Sequence, residues 1–375
     1  MRRLGIALVF LVVALAASVW AWFPGARPSA AASRPETAEE HERLVEALRP
    51  PKAPRPLIAV LLHNDGTETT DFMVPYGVLR ASGAADVVAV GLRDAPATLM
   101  PALRVRPQSS VAAFDASHPG GADYVIVPAM HRSDDPEVLA WIRGQFERGA
   151  TVVGVCDGAW VLAHAGLLDG REATGHWYSA RGLRTTFPHV RWTRDRRYVV
   201  DRRVVTTTGV SASIPVSLTL VEAIAGRPRA EALAASMGID RWDAGHASAA
   251  FALDRASVVT AARNLLAPWA WDTVALALGD GVDDVGLALT ADAYARTFRT
   301  SVRAVSDGAP EVTTRHGLTV LADATAPPAD GAALVPLAAP GGAHRSALDA
   351  ALDGVERRYG APTAAFVALQ LEYPR

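Results

Sequence analysis

The sequence predicts an α/β protein built on a doubly wound parallel sheet of the flavodoxin-like, nucleophile-elbow type. The first observation is that short apolar runs typical of buried strands alternate with segments of helical period, which favours a parallel sheet covered on both faces. The second is the segment 154–158, a tight turn between such a strand and a helix. The third is a weaker recurrence of this order of elements after residue 272, which predicts a second, degenerate α/β copy.

Length and composition limit the classes of protein to consider. The chain has 375 residues, too many for one ordinary domain, and 50% of them are hydrophobic, which excludes a disordered chain. The 37 basic and 39 acidic residues give a formal charge of -2 without any long block of like charge, so nucleic acid is not expected as a partner. Cys156 is the only cysteine, which excludes an intramolecular disulfide and a zinc cluster of several thiolates. No metal site is predicted.

The N-terminal residues predict a membrane segment. The run Leu4–Phe23 carries no charge and is long enough to cross a bilayer core of about 30 Å as a helix. Because Arg2 and Arg3 precede it, the body of the chain is predicted on the extracytoplasmic side of the cytoplasmic membrane, with the lipid bilayer as a partner. A cleaved signal peptide, which would leave a secreted protein, is the alternative. Residues 1–24 are therefore predicted as a transmembrane signal anchor and residues 25–55 as a tether.

The first globular unit is predicted over residues 56–226. An apolar strand is followed by a turn at Asn64-Asp65-Gly66 and by a helix that begins at Thr70. The predicted strands are 56–62, 86–91, 123–128 and 151–155, and the predicted helices are 70–81, 136–149 and 159–168. Ligands of such sheets bind beyond the carboxyl ends of the strands, so a small-molecule ligand or substrate is expected there.

The most informative strand end is Gly154-Val155-Cys156-Asp157-Gly158. A nucleophile elbow requires small residues two positions before and two positions after its central side chain, because the turn is too tight for side chains there. The helix that follows directs its N–H groups and its dipole at the thiol, which predicts a lowered pKa for Cys156. The alternative is that a lone cysteine is buried and only packs. The coincidence of strand, glycines and helix favours the nucleophile.

Four segments resemble a known family. They are NDGTETTDFMVPYGVLRASG (64–83), DYVIVPA (123–129), GVCDGAWVLAHAGLLDGREATGHW (154–177) and VVTTTGVSASIPVSLTLVEAIAG (204–226). Together they resemble the ThiJ/PfpI superfamily, which has the class I glutamine amidotransferase-like fold. The branch that they resemble includes isonitrile hydratases and the amidase-like sensor domains of AraC-type regulators. Because the superfamily includes both enzymes and non-catalytic sensors, the resemblance implies the fold more directly than an activity.

The resemblance also implies candidate catalytic residues. Cys156 falls on the nucleophile of the family, and Asp71 falls on an acidic residue of the first helix. The carboxyl of that acidic residue lies against the thiol and acts in proton transfer in the hydratases. His176, in the ATGHW run, matches a histidine common in this branch. Other roles stay open, because Asp71 at a helix start also suits a cap or a solvated charge, and His176 beside Trp177 also suits a hydrogen-bonded structural histidine.

Asp157 departs from the family pattern. The protease-like members carry histidine after the nucleophile and the hydratases usually carry threonine. A carboxylate beside the thiol opposes its ionisation, because a nearby like charge raises the pKa, so the hydratase assignment is weakened and the protease assignment is weakened further. The predicted binding positions combine this residue with glycines of the turns and strand ends. They are Gly66, Gly154, Asp157, Gly158 and Gly209.

A degenerate, partial second copy is predicted over residues 272–375, after a helical connector at 227–271. The stretch 273–305 follows the order of 58–90: strand, Asp-Gly turn, acidic helix start, second strand. The same correspondence pairs Asp280-Gly281 with Asp65-Gly66 and predicts strands at 333–341 and 363–371. The copy has no cysteine and hence no nucleophile. It is predicted to pack on the first unit as an internal pseudo-dimer, or on another chain in a homodimer.

Two functions follow from these features. The leading hypothesis is a cysteine-dependent hydratase, hydrolase or lyase that acts on a small electrophile, with Cys156 attacking and Asp71 handling the proton. The alternative is a non-catalytic sensor domain that binds a small molecule or a protein and lacks DNA-binding helices. No cofactor is predicted, because the sequence has neither a GxGxxG segment after a strand nor a Walker sequence.

Overall fold

The computed structural model describes the body of the chain. The described residues are Phe23, Gly25, 35–326, 331–337, Ala339 and 346–375. The elements up to residue 226 are α1 (Ala38–Ala47), β1 (Leu57–Leu62), β2 (Thr67–Glu68), α2 (Thr69–Ser82), β3 (Asp86–Gly91), β4 (Ala97–Met100), β5 (Arg104–Arg106), β6 (Ser109–Ser110), α3 (Val111–Ser117), β7 (Tyr124–Val127), α4 (Pro136–Glu147), β8 (Thr151–Gly154), α5 (Gly158–His164), β9 (Glu172–Ala173), α6 (Ala180–Thr186), β10 (Arg191–Trp192), β11 (Tyr198–Asp201), β12 (Val204–Thr207) and α7 (Ser213–Ala225). The later elements are α8 (Arg227–Ser236), α9 (Arg255–Leu265), β13 (Asp272–Leu278), α10 (Asp284–Ala295), β14 (Thr300–Ser306), β15 (Glu311–Thr313), β16 (Thr319–Leu321), β17 (Ala333–Val335), α11 (Ala347–Tyr359) and α12 (Ala361–Gln370).

The main sheet has the strand order β11-β12-β8-β7-β1-β3-β6. Its neighbouring strands pair in parallel, except that β11 and β12 are antiparallel. In the central strand β1, Ile58 aligns with Val87 of β3 on one side and with Tyr124 of β7 on the other. Strands β7 and β8 are buried along their whole length, as expected where helices cover both faces. These pairings confirm the predicted α/β fold with a mostly parallel sheet.

The core lies on both faces of this sheet. Ile58 and Val60 belong to a hydrophobic cluster with residues of α2, α7 and α10, whereas Ala59 and Leu61 belong to a cluster with residues of α4 and α5. The division follows from the strand itself, because successive side chains point to opposite faces. The two faces of β1 therefore contribute to the two hydrophobic clusters.

The second half of the chain has its own parallel sheet, with the order β14-β13-β17. Strand β13 pairs with β14 from Asp272 opposite Thr300, and with β17 on its other side. A further sheet, β15-β16-β5-β4-β2, combines strands of both halves. Helix α10 packs against α2, where a Cβ added to Gly77 would lie 3.0 Å from Val285 Cγ2. The two halves are therefore joined by a shared sheet and by close helix packing.

One predicted strand is wrong. Residues 363–371 contribute to helix α12 and to its C-terminal end. Pro362 lies in the first turn of that helix, where its missing N–H is not needed, and several alanines favour the helical backbone. A short apolar run does not by itself distinguish a buried strand from a buried helix.

The two Asp-Gly turns that the sequence pairs differ in backbone conformation. Gly281 has a left-handed φ of 80°, whereas Gly66 is not in the left-handed region.

The predicted single-pass membrane localisation is corrected. No helix in the described part of the chain is both long enough and apolar enough to cross a membrane. The longest described helix, α2, has 14 residues, and at about 1.5 Å per residue it is shorter than the bilayer core of about 30 Å. The run Leu4–Phe23, on which the anchor prediction depended, lies outside the described residues apart from Phe23.

Helix α1 lies within the segment predicted as a tether and contacts the body through His41. Nδ1 of this ring is 3.3 Å from Glu36 Oε2, and Nε2 is 2.9 Å from Glu222 Oε2 in α7. These contacts, first the hydrogen bond with Glu36 and then that with Glu222, raise the pKa of His41 to about 9. A protonated imidazole therefore lies between two carboxylates where α1 meets α7.

The raised pKa of His41 predicts a pH-dependent stability. The folded pKa exceeds the ordinary value of 6.5, so the contribution is complete below that pH and is lost as the pH rises through about 9. We expect wild-type protein to lose more free energy of unfolding than His41→Gln between about pH 6 and pH 9.5, measured by urea unfolding. His189→Gln, at an exposed histidine, is the control and should behave as wild type. Identical pH profiles for wild type and His41→Gln would contradict this assignment.

Candidate functional site

Cys156 lies at the turn between β8 and α5. Its φ is 55°, a left-handed value that is uncommon for residues other than glycine, and the residue is 7% exposed. The Cys156 N–H donates to Thr207 Oγ1 at 3.0 Å, which ties the turn to the end of β12. An added Cβ at Gly158 would overlap the carbonyl oxygen of Val127, and one at Gly154 would lie 2.8 Å from Leu162 Cδ1. The glycines thus allow the tight turn that holds the thiol at the carboxyl edge of the sheet.

Asp71 lies in the first turn of α2 and is completely buried. Its N–H donates to Glu68 Oε2 at 2.5 Å, its Oδ2 accepts from the Ala129 N–H at 3.3 Å, and its Oδ1 has no hydrogen-bond partner among the described residues. Burial and the charge of Glu68 raise the pKa of Asp71 well above its ordinary value, which favours the neutral form of the carboxyl. Asp71 does not cap its helix, because Glu68 occupies that position.

Asp157 follows the thiol and is the N-cap residue of α5, but its side chain forms no capping hydrogen bond. Its Oδ2 accepts a hydrogen bond from Ser179 Oγ at 2.8 Å, and its buried Oδ1 has no partner within the described residues. One oxygen of Asp157, the sulfur of Cys156 and a ring nitrogen of His176 all lie within 4.8 Å of one another. The side chain therefore turns toward the thiol rather than toward solvent.

His176 is held by the C-terminal part of the chain. Its Nε2 lies 3.0 Å from the backbone oxygen of Gln370, and because a carbonyl oxygen only accepts, Nε2 is the donor. Trp177 donates its ring N–H to the Leu369 oxygen at 2.9 Å and its backbone N–H to Glu372 Oε2 at 3.3 Å. The end of α12 and the residues after it therefore cover this side of the site.

The surroundings of the thiol oppose its ionisation. Burial raises the pKa of Cys156 well above its ordinary value, and the charges of Asp71, Asp157 and Glu68 raise it further, whereas Arg296 lowers it. The predicted lowering by the helix N-terminus is therefore wrong in its sign. The physical reason is that desolvation and nearby carboxylates disfavour the thiolate, while α5 is a helix of only 7 residues. The structure also forms no hydrogen bond between the Cys156 sulfur and Asp71.

A charged group from the second half extends this site. Arg296, at the end of α10, donates to Glu68 Oε1 at 2.7 Å and to Asp292 Oδ1 at 2.7 Å. Burial raises the pKa of Asp292 to about 7, although Arg296 lowers it. Sequence analysis missed all three residues. Glu68 could have been found as the cap of the helix that carries Asp71, but no local signal connects Arg296 with a residue 228 positions away.

The remaining predicted binding positions lie in different surroundings. The N–H of Gly209 donates to Glu372 Oε2 at 2.6 Å, and an added Cβ there would lie 2.8 Å from His176 Cδ2. Gly66 lies against the His131 ring and Met100. Gly209 thus borders the site and leaves no space for a side chain.

Cys156, Asp157 and His176 could together hold a metal ion. Their thiolate, carboxylate and imidazole groups are all known ligand types.

Comparison with known proteins identifies the family of the first unit. Residues 57–223 match the sequence model of the DJ-1/PfpI family. An isonitrile hydratase from Pseudomonas putida is 32% identical over 160 residues, which are 42% of this chain and 67% of that enzyme. The solved structure of DJ-1beta from Drosophila melanogaster has 20% identity and a TM-score of 0.45, over 50% of this chain and all of that one. The resemblance drawn from the sequence motifs is confirmed.

Regulators of transcription are also similar to this chain. The HTH-type transcriptional regulator CdhR of Pseudomonas aeruginosa is 36% identical over 90 residues, which are 24% of this chain and 26% of the regulator. The chain spans only about a quarter of the length of the first curated regulators that it matches. These similarities do not exclude nucleic acid as a partner, so the prediction of none is not upheld.

Proposed function

The chain belongs to the DJ-1/PfpI family through residues 57–223, and from this premise we propose that its family domain is a non-catalytic binding domain for a small molecule. The observation that carries the proposal is the position of Asp157 beside the Cys156 thiol. An ordinary thiol, with a pKa of about 8.5, is only a few per cent thiolate at neutral pH. Because burial and three carboxyl groups raise the pKa further, Cys156 stays protonated and is a weak nucleophile.

The proposal includes the second half of the chain as an internal partner of the family domain. In both halves a central parallel strand has one neighbour on each side and is followed by a helix: β3-β1-β7 with α2, and β14-β13-β17 with α10. The packing of α10 on α2 and the contacts of Leu369–Glu372 with Trp177 support a pseudo-dimer built from a degenerate second copy. The site then depends on both halves, as a ligand-binding site between two subunits does.

A second candidate function is a cysteine-dependent enzyme acting on a small electrophile. The observation that favours it is the left-handed φ of Cys156, since strained backbone is often kept where a side chain must be presented to a reactant. Asp71 could then serve as the acid, because its raised pKa favours the protonated carboxyl and its buried Oδ1 has no partner within the described structure. This function requires a thiolate that the surrounding carboxylates disfavour.

The reactivity of Cys156 tests the proposal directly, because the chain has 1 cysteine and every labelling event reports it. We expect iodoacetamide to modify the folded protein at least about tenfold more slowly at pH 8 than the same chain in urea. Asp157→Asn should shift the pH profile of the rate to lower pH and raise the rate at pH 8 by about threefold to tenfold, because it removes a charge that raises the thiol pKa. Intact-protein mass spectrometry measures both rates.

Two results separate an electrostatic effect on the thiol pKa from a change in the accessibility of Cys156. Asp169→Asn, at an exposed aspartate, is the charge control and should leave the profile unchanged. A labelling profile with a midpoint below about pH 7 in the wild-type protein would contradict the non-catalytic function and support the cysteine enzyme.

A further inference from the structure

A cavity of about 190 Å³ lies beside the candidate site without including the thiol. Gly175 and Trp177, the two neighbours of His176, line it, as does Thr208. Thr208 follows Thr207, whose hydroxyl accepts the Cys156 N–H. The cavity is therefore close to the thiol. His176 lies between two of its lining residues, and Thr207, which binds the Cys156 N–H, precedes a third.

Two of the three charged side chains that line the cavity are cations. Arg184 of α6 and Arg194 line it, and neither guanidinium has a hydrogen bond or an ion pair with any described residue. Glu372 also lines the cavity, but its carboxylate is already occupied. Its Oε2 accepts from the N–H groups of Gly209 and Trp177, and its Oε1 lies 2.8 Å from the imidazole Nε2 of His246. The lining therefore has a net positive charge, and its two unpaired guanidinium groups match an oxyanion.

A buried hydroxyl in the same wall also lacks a partner. Thr208 is 2% exposed, and its Oγ1 has no hydrogen-bond partner among the described residues. Burying a hydroxyl without an acceptor or donor is unfavourable, and native structures usually avoid it. The Oγ1 atom is buried beneath the wall, so Thr208 shapes the cavity without offering its hydroxyl to a ligand.

The other walls are aromatic. Trp177 and Trp192 line the cavity, and their ring N–H groups already donate to the backbone oxygens of Leu369 and Phe187. The indoles therefore offer apolar faces rather than hydrogen-bond donors. The volume of this cavity slightly exceeds the roughly 150 Å³ of an engineered cavity that binds benzene. The space fits a flat ring with one small polar group.

From these walls we propose that the cavity binds a small aromatic carboxylate, with the carboxylate held by Arg184 and Arg194 and the ring packed between Trp177 and Trp192. The inference rests on the proposed binding function and assigns it a class of ligand. The bidentate geometry of arginine suits a carboxylate, and the indole faces suit a planar ring.

The test uses benzoate as the probe and benzamide as its neutral counterpart of the same shape. We expect benzoate to quench tryptophan fluorescence of the full chain and to bind at least about tenfold more tightly than benzamide, because the amide carries no charge for the arginines. Arg184→Gln and Arg194→Gln should each weaken benzoate about tenfold, and the double variant should abolish saturable binding.

Arg181→Gln is the matched control, because Arg181 lies on α6 beside Arg184 but does not line the cavity. The proposal is overturned if benzoate fails to bind at about 10 mM, a concentration far higher than ordinary ligand sites require. Equal binding of benzamide, or a loss with Arg181→Gln as large as with Arg184→Gln, also overturns it. A fast-reacting Cys156 with intact benzoate binding would refute only the non-catalytic function, and an inert thiol without benzoate binding would refute only the carboxylate site.

Discussion

Replacing Gly158 by alanine is expected to destabilise the protein by about 4 kcal/mol or more, among the largest effects of a single methyl group. The added Cβ would overlap the carbonyl oxygen of Val127 at the end of β7. That oxygen belongs to the backbone of a buried strand in the main sheet, so it cannot move aside as a side chain would. Urea unfolding measures the loss, and failure of the variant to fold is the extreme form of the same result.

Two other glycines provide a scale for this experiment. Gly154→Ala should cost about 1–3 kcal/mol, because its added Cβ meets mainly the movable end of Leu162. Gly120→Ala is the matched control, since no heavy atom lies within 4 Å of the added group and φ is not left-handed there. If Gly158→Ala unfolded at the same urea concentration as Gly120→Ala, the tight turn around Cys156 would not exist as described.

Removing the charge of Arg296 is expected to cost about 3–5 kcal/mol at pH 8, because Arg296→Met leaves two buried carboxylates without their cation. Asp292 is completely buried and Glu68 is 7% exposed. With the guanidinium gone, the pKa of Asp292 rises above its present value of about 7. A carboxyl with a raised folded pKa stabilises at low pH and loses this contribution as the pH rises through that pKa, so the penalty should shrink toward pH 5.5.

The whole network can be replaced to test this explanation. The triple variant Arg296→Met, Glu68→Gln, Asp292→Asn should recover most of the lost free energy, because neutral partners need no cation and the amide oxygen introduced by Glu68→Gln would still accept the Asp71 N–H. Arg43→Met, in an exposed pair with Glu39, is the control and should cost no more than about 1 kcal/mol. A penalty in Arg296→Met that did not depend on pH, or that the triple variant failed to relieve, would contradict an ionic origin.

Arg296 also links this stability experiment to the thiol. Its charge lowers the pKa of Cys156, whereas burial and three carboxyl groups raise it. Arg296→Met should therefore slow the alkylation of Cys156, opposite in direction to Asp157→Asn. The two variants together distinguish the electrostatic control of the thiol from a general loosening of the fold, which would accelerate labelling in both.

The parallel sheet and the turn at Cys156 were predictable because both depend on residues close together in sequence. A buried strand, two glycines four positions apart and an apolar helix specify the turn within a few residues of Cys156. Asp71 was identified through the family motif, and its burial at the start of α2 agrees with a place near the thiol. Residues 363–371 were predicted wrongly because a short apolar run does not reveal whether its partners will be strands or helices.

By itself, the sequence determined the alternation of strands and helices, the family of the first unit and the position of the thiol at a strand end, since spacing and local motifs carry these. Only the tertiary structure decided that the thiol is disfavoured as a thiolate, because desolvation and the charges of Asp71, Asp157 and Glu68 act through space. It also decided that Gln370 and Glu372 cover the site and that Arg184 and Arg194 line the same cavity. The physical reason is that burial and electrostatic fields sum over residues that folding brings together from distant parts of the chain.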